Sequence, residues 1–341
     1  MNGCGHDPAL RAVHMIMKGG GVLRRGLILV LILAVATAGV GAADYIRWVD
    51  FDVSYEALDK ALALDIRSQE VDRPVSWITL LAVAACRTGG KVTASSVSQA
   101  YRDLLTGKSP QELLGGLSKY YDYYLEAYTA VLGGLVGNYA ILVEQDGEQV
   151  WQAQYGLKAF SPVAAGYGYS HCDDFGMGRT YGFARKHLGN DLMGGLGTPI
   201  VAVEGGRVEA LGWNQYGGWR VGIRSHDTKR YYYYAHLQKD TPFAPGLQEG
   251  DTVQAGQVIG FMGRTGYSTK ENVNNIETVH LHFGIQLIFD ESQKECNSEI
   301  WIDAYPIVHL LNRHRSSVAK QSDGTWQRIY AYKDLDQFNE P

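Results

Sequence analysis

The sequence predicts a mainly β domain that is preceded by a helical region and by one transmembrane or signal helix. Three changes of pattern along the 341 residues support this fold class. An uncharged apolar run fills 26–43, apolar residues recur at three- and four-residue spacing in 51–139, and alternation at period two dominates 140–311. The polar residues 312–341 are predicted to form a loosely held tail.

The apolar run reads GLILVLILAVATAGVGAA and follows the basic residues Lys18, Arg24 and Arg25. Its length is just enough to span a bilayer, while the small residues at its end also resemble a signal-peptidase site. Membrane anchor and cleaved signal peptide are therefore both open. The positive-inside rule places residues 1–25 in the cytoplasm and the rest outside, so we expect an extracytoplasmic protein, membrane-anchored or secreted, in a bacterial cell envelope.

The composition argues against a nucleic-acid partner. The formal net charge is −5, from 31 basic and 36 acidic residues, which leaves no basic footprint for phosphate groups. The four cysteines form no Cys-x-x-Cys pair and are too sparse for a disulfide scaffold. Cys172 and Cys296 are expected either to pair in an oxidising exterior or to stay free buried thiols.

The helical region is predicted to contain four helices, and the β domain at least six strands. The helices begin after Ser54 and at about 76, 95 and 110, and the last one ends near 132 with a tyrosine stripe that we interpret as core packing. Protein partners of this region are not indicated. The strands are expected at 200–203, 207–213, 219–224, 230–236, 258–262 and 279–289, with a hairpin turn at 225–229.

Histidines supply the candidate metal ligands. His280 and His282 lie in VHLHFGIQLIF, where alternation sends both imidazoles to one face of a strand. His187 and Asp191 lie in KHLGNDLMGG, which we interpret as a loop that turns both side chains inward. Two imidazoles with one carboxylate form a known zinc set that leaves a position for water. His236 ends the run YYYYAH and is expected, by alternation, to share a face with the neighbouring tyrosines 232 and 234.

The segment from about 182 to 286 resembles the lysostaphin-like and LytM-like zinc endopeptidases of peptidoglycan. The family pattern H-x-G-x-D stands here as HLGND at 187–191, followed by the lone histidine of YYYYAHL and by HLHF at 280–283. The glycine-rich stretch at 249–266 also resembles the family's hairpin. The sequence departs from the family at 266–279, where polar residues replace a short glycine-proline link, and this loop is expected to border the cleft and to affect substrate preference.

The resemblance implies an antiparallel sheet with an open cleft that holds one Zn²⁺ through His187, Asp191 and His282. It also implies that His280 and His236 are catalytic. One of them takes the proton of a zinc-activated water and the other orients the attack or stabilises the oxyanion, and we favour His280 as the base. Tyr181 is a candidate oxyanion donor, with a packed strand tyrosine as the alternative.

These expectations predict a zinc endopeptidase that hydrolyses crosslinks or stem peptides of peptidoglycan. Two alternatives stay open. A zinc peptidase of protein or peptide substrates would use the same site with a different groove. A catalytically silent cell-wall-binding scaffold of the same fold would have to block the cleft, because all five site positions are filled.

Overall fold

A computed structural model describes residues 45–180, 184–294 and 298–336. The apolar run at 26–43, predicted to be an anchor or a signal, lies outside these residues. Within the described ranges, no helix combines the length and the hydropathy needed to cross a membrane.

The helices form mainly in the first part of the chain. Their bounds are α1 Tyr55–Ser68, α2 Trp77–Thr88, α3 Ala94–Leu104, α4 Pro110–Leu114, α5 Tyr121–Leu132 and, much later, α6 Tyr305–Leu311. Side chains set the first two starts, because Ser54 accepts a hydrogen bond from the Ala57 amide and Ser76 accepts one from the Thr79 amide. α2 ends at Gly89, whose φ of 64° suits a glycine cap.

The single helix predicted for about 110–132 is wrong, because a 3₁₀ segment, Gly115–Tyr120, separates α4 from α5. Gly115 has a φ of 53°, and two adjacent glycines weaken a helix at this point. Most of the tyrosine stripe nevertheless packs into the core as predicted, although Tyr120 at its start is exposed. Tyr121, Tyr124 and Tyr128 are buried, and the last two rings lie 5.6 Å apart.

The β part is built on one antiparallel sheet with the strand order β11-β8-β9-β10-β13-β6-β3, and β14 also pairs with β13. The bounds of these strands are β3 Tyr169–His171, β6 Asn190–Gly194, β8 Gly206–Asn214, β9 Gly218–Ser225, β10 Arg230–Ala235, β11 Thr252–Val253, β13 His280–Leu287 and β14 Ile300–Ile302. All six predicted strands correspond to observed ones, and the predicted hairpin joins β9 to β10.

Smaller sheets surround this main sheet. They consist of β1 Val136–Gln145, β2 Glu148–Leu157 and β17 Tyr332–Asp334; β4 Gly178–Thr180 with β5 Ala184–Lys186; β7 Pro199–Val201 with β12 Val258–Phe261; and β15 Val318–Lys320 with β16 Trp326–Arg328. The expectation of a loosely held tail is therefore wrong for the described residues after 312. β17 pairs with β1, and the Lys158 ammonium group lies 2.8 Å from carboxylate oxygens of both Asp334 and Asp336.

A buried arginine joins the helices to the main sheet. Arg230 on β10 is fully buried and donates hydrogen bonds to the carbonyl oxygens of Thr129 and Ala130 near the end of α5. The same guanidinium group forms ion pairs with Glu204 at 2.8 Å and Asp227 at 2.7 Å. Because these carboxylates compensate its charge, the arginine can satisfy helix-end carbonyls inside the protein. One continuous apolar core accordingly includes residues from α1 to α6 and from the main sheet.

Candidate active site

The three predicted ligands lie together, two of them on adjacent inner strands of the main sheet. Asp191 on β6 is directly opposite His282 on β13, and His187 follows β5. The His187 Nε2 atom lies 2.8 Å from His282 Nδ1 and 3.1 Å from Asp191 Oδ1, and the last two atoms are 3.3 Å apart. Asp191 therefore projects from a strand and not from the loop that we predicted. Strand pairing fixes its position relative to His282.

Gly189 lets the chain pass close to this group. A Cβ atom at this position would lie 2.8 Å from the His282 ring and 2.6 Å from the Phe283 carbonyl oxygen. Any other residue would therefore push His282 away from Asp191. The motif HLGND therefore requires glycine at its centre for steric reasons. Only glycine lets the chain pass His282 closely enough for His187 and Asp191 to meet it.

Asp174 and Arg179 form an outer layer behind these side chains. Asp174 Oδ2 lies 3.2 Å from His187 Nδ1, and its Oδ1 accepts a hydrogen bond from the Asp191 amide. Arg179 contacts Asp174 and also lies 3.2 Å from Asp191 Oδ2. These contacts occupy the outward atoms of His187 and Asp191, so that Nε2 and Oδ1 face the centre of the group. Neither residue was predicted from the sequence.

The electrostatics of the two carboxylates differ. Burial disfavours ionisation of Asp191, but hydrogen bonds with His187 and His282 outweigh it and hold its pKa well below the usual range. Burial and the nearby Asp191 charge raise the pKa of Asp174. The arrangement thus keeps Asp191 as an anion that faces two imidazoles.

Replacing Asp174 by Asn is expected to weaken zinc binding by about 10- to 100-fold, because an amide orients His187 less strongly than a carboxylate. Competition with a chromogenic chelator would measure the affinity. Asp173→Asn is the matched control, since Asp173 is adjacent and exposed. Equal zinc affinities in the two variants and the natural protein would show that Asp174 does not act on the metal centre.

His280 and His236 lie beside the three candidate ligands. Their ring centroids are 4.8 Å apart, and His280 Nε2 is 3.7 Å from Asp191 Oδ1. In each residue Nδ1 lies 2.9 Å from a backbone carbonyl oxygen, of Thr278 for His280 and of Thr265 for His236. These contacts favour the tautomer in which Nδ1–H donates and Nε2 is free to accept a proton.

The strand alternation predicted for His280 and His282 is confirmed, because the intervening Leu281 and the following Phe283 are fully buried. The alternation predicted for His236 is wrong. His236 follows the end of β10 with a φ of 62°, which breaks the period of two and turns its ring toward His280. Tyr232 and Tyr234 instead pack on the opposite, buried face of the sheet.

The remaining predicted features of the site lie at or beyond its border. Tyr181 lies outside the described residues. The polar loop at 266–279 does border the cleft, because the Tyr267 ring lies 5.8 Å from the His236 ring.

Burial, together with repulsion from His280 and His282, lowers the pKa of His236 well below its ordinary value. This imidazole is therefore neutral near pH 7.

The donor set fits a zinc ion. Among the described residues, His187, Asp191 and His282 are the one group of this kind, with all three ligand atoms within 4.8 Å of one another. Two imidazole nitrogens and one carboxylate oxygen form a zinc set with a fourth position open. The fold and these side chains define a β-sheet domain with a metal centre of the hydrolytic type.

Residues 185–296 match the model of peptidase family M23, so this part of the chain is an M23 domain. The L-Ala–D-Glu endopeptidase of Bacillus subtilis (strain 168) is 36% identical over 146 residues, which cover 43% of this chain and 41% of the relative. Lysostaphin of Staphylococcus simulans is 36% identical over 119 residues, 35% of this chain and 20% of the relative. These similarities confirm the resemblance predicted from the motifs.

The peptidoglycan DD-endopeptidase ShyC of Vibrio cholerae is 32% identical over 158 residues, 46% of this chain and 31% of the relative. The chain therefore spans less than half the length of each of these relatives. M23 peptidases depend on zinc, and the group of His187, Asp191 and His282 agrees with that requirement.

Proposed function

We propose that this protein is a zinc-dependent endopeptidase that hydrolyses peptide bonds of bacterial peptidoglycan outside the cytoplasm. The observation that carries the proposal is the convergence of five side chains at one end of a cleft on the sheet. The names of the relatives, which include a peptidoglycan endopeptidase, support this substrate class. We assign the chemistry to residues 140–311, while the helical region 51–139 shares the apolar core with this part of the chain.

His187 Nε2, Asp191 Oδ1 and His282 Nδ1 would hold the zinc ion. Zinc bound in such a site supplies a Lewis acid and makes a water-derived nucleophile available at about pH 7. We assign proton acceptance to His280, because its Nε2 faces the ligand group at 3.7 Å from Asp191. The neutral Nε2 of His236 would accept a hydrogen bond from the attacking water and orient it. After accepting the proton, His280 would return it to the departing amine.

We also propose that residues 26–43 carry the protein to or through the cytoplasmic membrane, as an anchor or as a cleaved signal. The apolar run after three basic residues supports this step, and the peptidoglycan substrate requires it. Mass analysis of the mature amino terminus would separate the two forms. A mature protein that still contains residues 26–43 indicates an anchor, and a mature protein that starts near residue 44 indicates cleavage.

Digestion of purified muropeptides by the full chain tests the proposed function. We expect products whose combined mass exceeds that of the substrate by one water, abolished by a chelator and restored by zinc. Binding of peptidoglycan without such products would favour the silent scaffold. Cleavage of unrelated peptides with no cleavage of muropeptides would favour a zinc peptidase of protein or peptide substrates.

A further inference from the structure

The cleft continues from the metal centre along the exposed face of the main sheet. It has a volume of about 590 Å³ and extends from His187 and His282 to Arg220 and Arg185. Tyr231 and Trp301 line this cleft, and their side chains lie directly over Gly222 and Gly284, where any Cβ atom would collide with them. A peptide that reaches the metal centre would therefore run over this face.

Two arginines of the cleft have guanidinium nitrogens without partners. The Nη1 atoms of Arg220 and Arg185 are buried, and neither has a hydrogen-bond partner among the residues that the structure describes. The two arginines also make no ion pair with any carboxylate of those residues. In contrast, Lys294 is paired with Glu209, which also pairs with Arg224. Both side chains are half-buried in the cleft, and no carboxylate of the described residues balances their positive charges.

Arg185 is held in a fixed position. Its guanidinium carbon lies 5.1 Å from the ring centroids of both Tyr216 and Tyr267, and its Nη2 donates a hydrogen bond to the Tyr267 hydroxyl at 2.8 Å. Arg220 lies on β9, an inner strand whose backbone is held by pairing with β8 and β10. Holding both groups in place before a ligand arrives lowers the entropy cost of binding.

A carboxylate suits these vacant donors. A buried guanidinium nitrogen without a hydrogen bond is unfavourable, and a planar carboxylate can accept two parallel hydrogen bonds from two nitrogens of one guanidinium group. The cleft is locally basic, whereas the whole chain has a net charge of −5. Attraction of a carboxylate is therefore a property of the cleft and not of the whole surface. Glu299, another acidic residue of the cleft, accepts a hydrogen bond from the Trp301 indole at 2.8 Å.

The strand order of the sheet also sets the distance between Arg220 and the metal centre. Arg220 lies on β9 and His282 lies on β13. β10 lies between these two strands and pairs with both, since Tyr233 is opposite Gly222 of β9 and Gly284 of β13. Adjacent strands are about 4.8 Å apart, which gives a separation of about 10 Å. An extended peptide covers this distance in about three residues.

We propose that Arg220, together with Arg185, binds a free carboxylate of the peptide substrate within about three residues of the bond that is cut. This inference rests on the proposed function and narrows its substrate class to acidic stem peptides, in preference to uncharged glycine bridges. Arg220 and Arg185 are specificity-determining residues and take no part in bond cleavage.

The test compares two synthetic stem peptides that differ only in a D-glutamyl α-carboxylate or its carboxamide. For the natural protein we expect kcat/KM to be about 10- to 100-fold higher for the carboxylate peptide. The ratio should fall close to one in Arg220→Gln and take an intermediate value in Arg220→Lys, which keeps the charge without the planar fork. Arg207→Gln is the matched control, since Arg207 is exposed and lines a different groove, and it should keep the natural ratio.

Equal rates for the two peptides in the natural protein, or a ratio that survives in Arg220→Gln, would overturn the inference. Because the first comparison needs no variant, it decides the matter even where Arg220→Gln does not fold. If neither peptide is cleaved, the proposed function fails for these substrates. Tighter binding of the carboxylate peptide than of the carboxamide, measured by calorimetry, would then still support the carboxylate site, and equal binding would refute it.

Discussion

The variant His282→Ala is expected to lose zinc and to lose peptidase activity by more than about a thousandfold. His282 supplies the Nδ1 atom that faces both His187 Nε2 and Asp191 Oδ1, so its removal leaves two ligands of three. Loss of an outer partner alone typically costs 10- to 100-fold, and loss of a direct ligand should cost more. Metal analysis of the purified variant and its rate on muropeptides would measure the two effects.

His226→Ala is the control for this experiment, because His226 is an exposed turn residue between β9 and β10. It should bind one zinc ion and keep the natural rate. A His282→Ala protein that retains one tightly bound zinc ion and more than about a tenth of the natural rate would contradict the ligand assignment.

The variant His280→Ala should keep zinc and lose about 10²- to 10⁴-fold in kcat, the usual contribution of a general base. Its Nε2 faces Asp191, while its Nδ1 lies 2.9 Å from the Thr278 carbonyl oxygen. Removal of the imidazole therefore deletes a proton acceptor without deleting a proposed metal ligand. Steady-state kinetics and metal analysis on the same preparation would separate this result from that of His282→Ala.

The same measurement on His236→Ala compares the two histidines. We expect a smaller loss than for His280→Ala, because orienting a water contributes less than accepting its proton. A larger loss in His236→Ala, with zinc retained in both variants, would exchange the two roles. Loss of zinc in His280→Ala would instead make His280 a structural support of the metal centre.

Local sequence signals predicted much of the fold. Period-two alternation in VHLHF correctly placed His280 and His282 on one face, because successive side chains of a strand point to opposite faces of the sheet. Ser54 and Ser76 marked helix starts, since their side chains satisfy amide groups that the helix leaves free. Strand alternation and helix capping both depend on residues that are close in sequence, so a short sequence pattern is enough to predict them.

The errors arose where distant residues or unusual backbone angles decide the structure. The φ of 62° at His236 ends the alternation just after an aromatic run, and although histidine adopts positive φ more often than most residues, that weak preference does not mark this position. Pairing of β17 with β1 organises residues that looked like a polar tail. Asp174 and Arg179 reach His187 and Asp191 through tertiary contacts that spacing alone does not reveal.

Titration of the metal-free protein with zinc tests the central claim most directly. Activity on muropeptides is predicted to rise in proportion to added zinc, to reach its maximum at one equivalent per chain, and to stay absent throughout in His282→Ala. Full activity of the metal-free protein, or an activity in His282→Ala that follows the natural curve, would contradict the zinc centre of His187, Asp191 and His282.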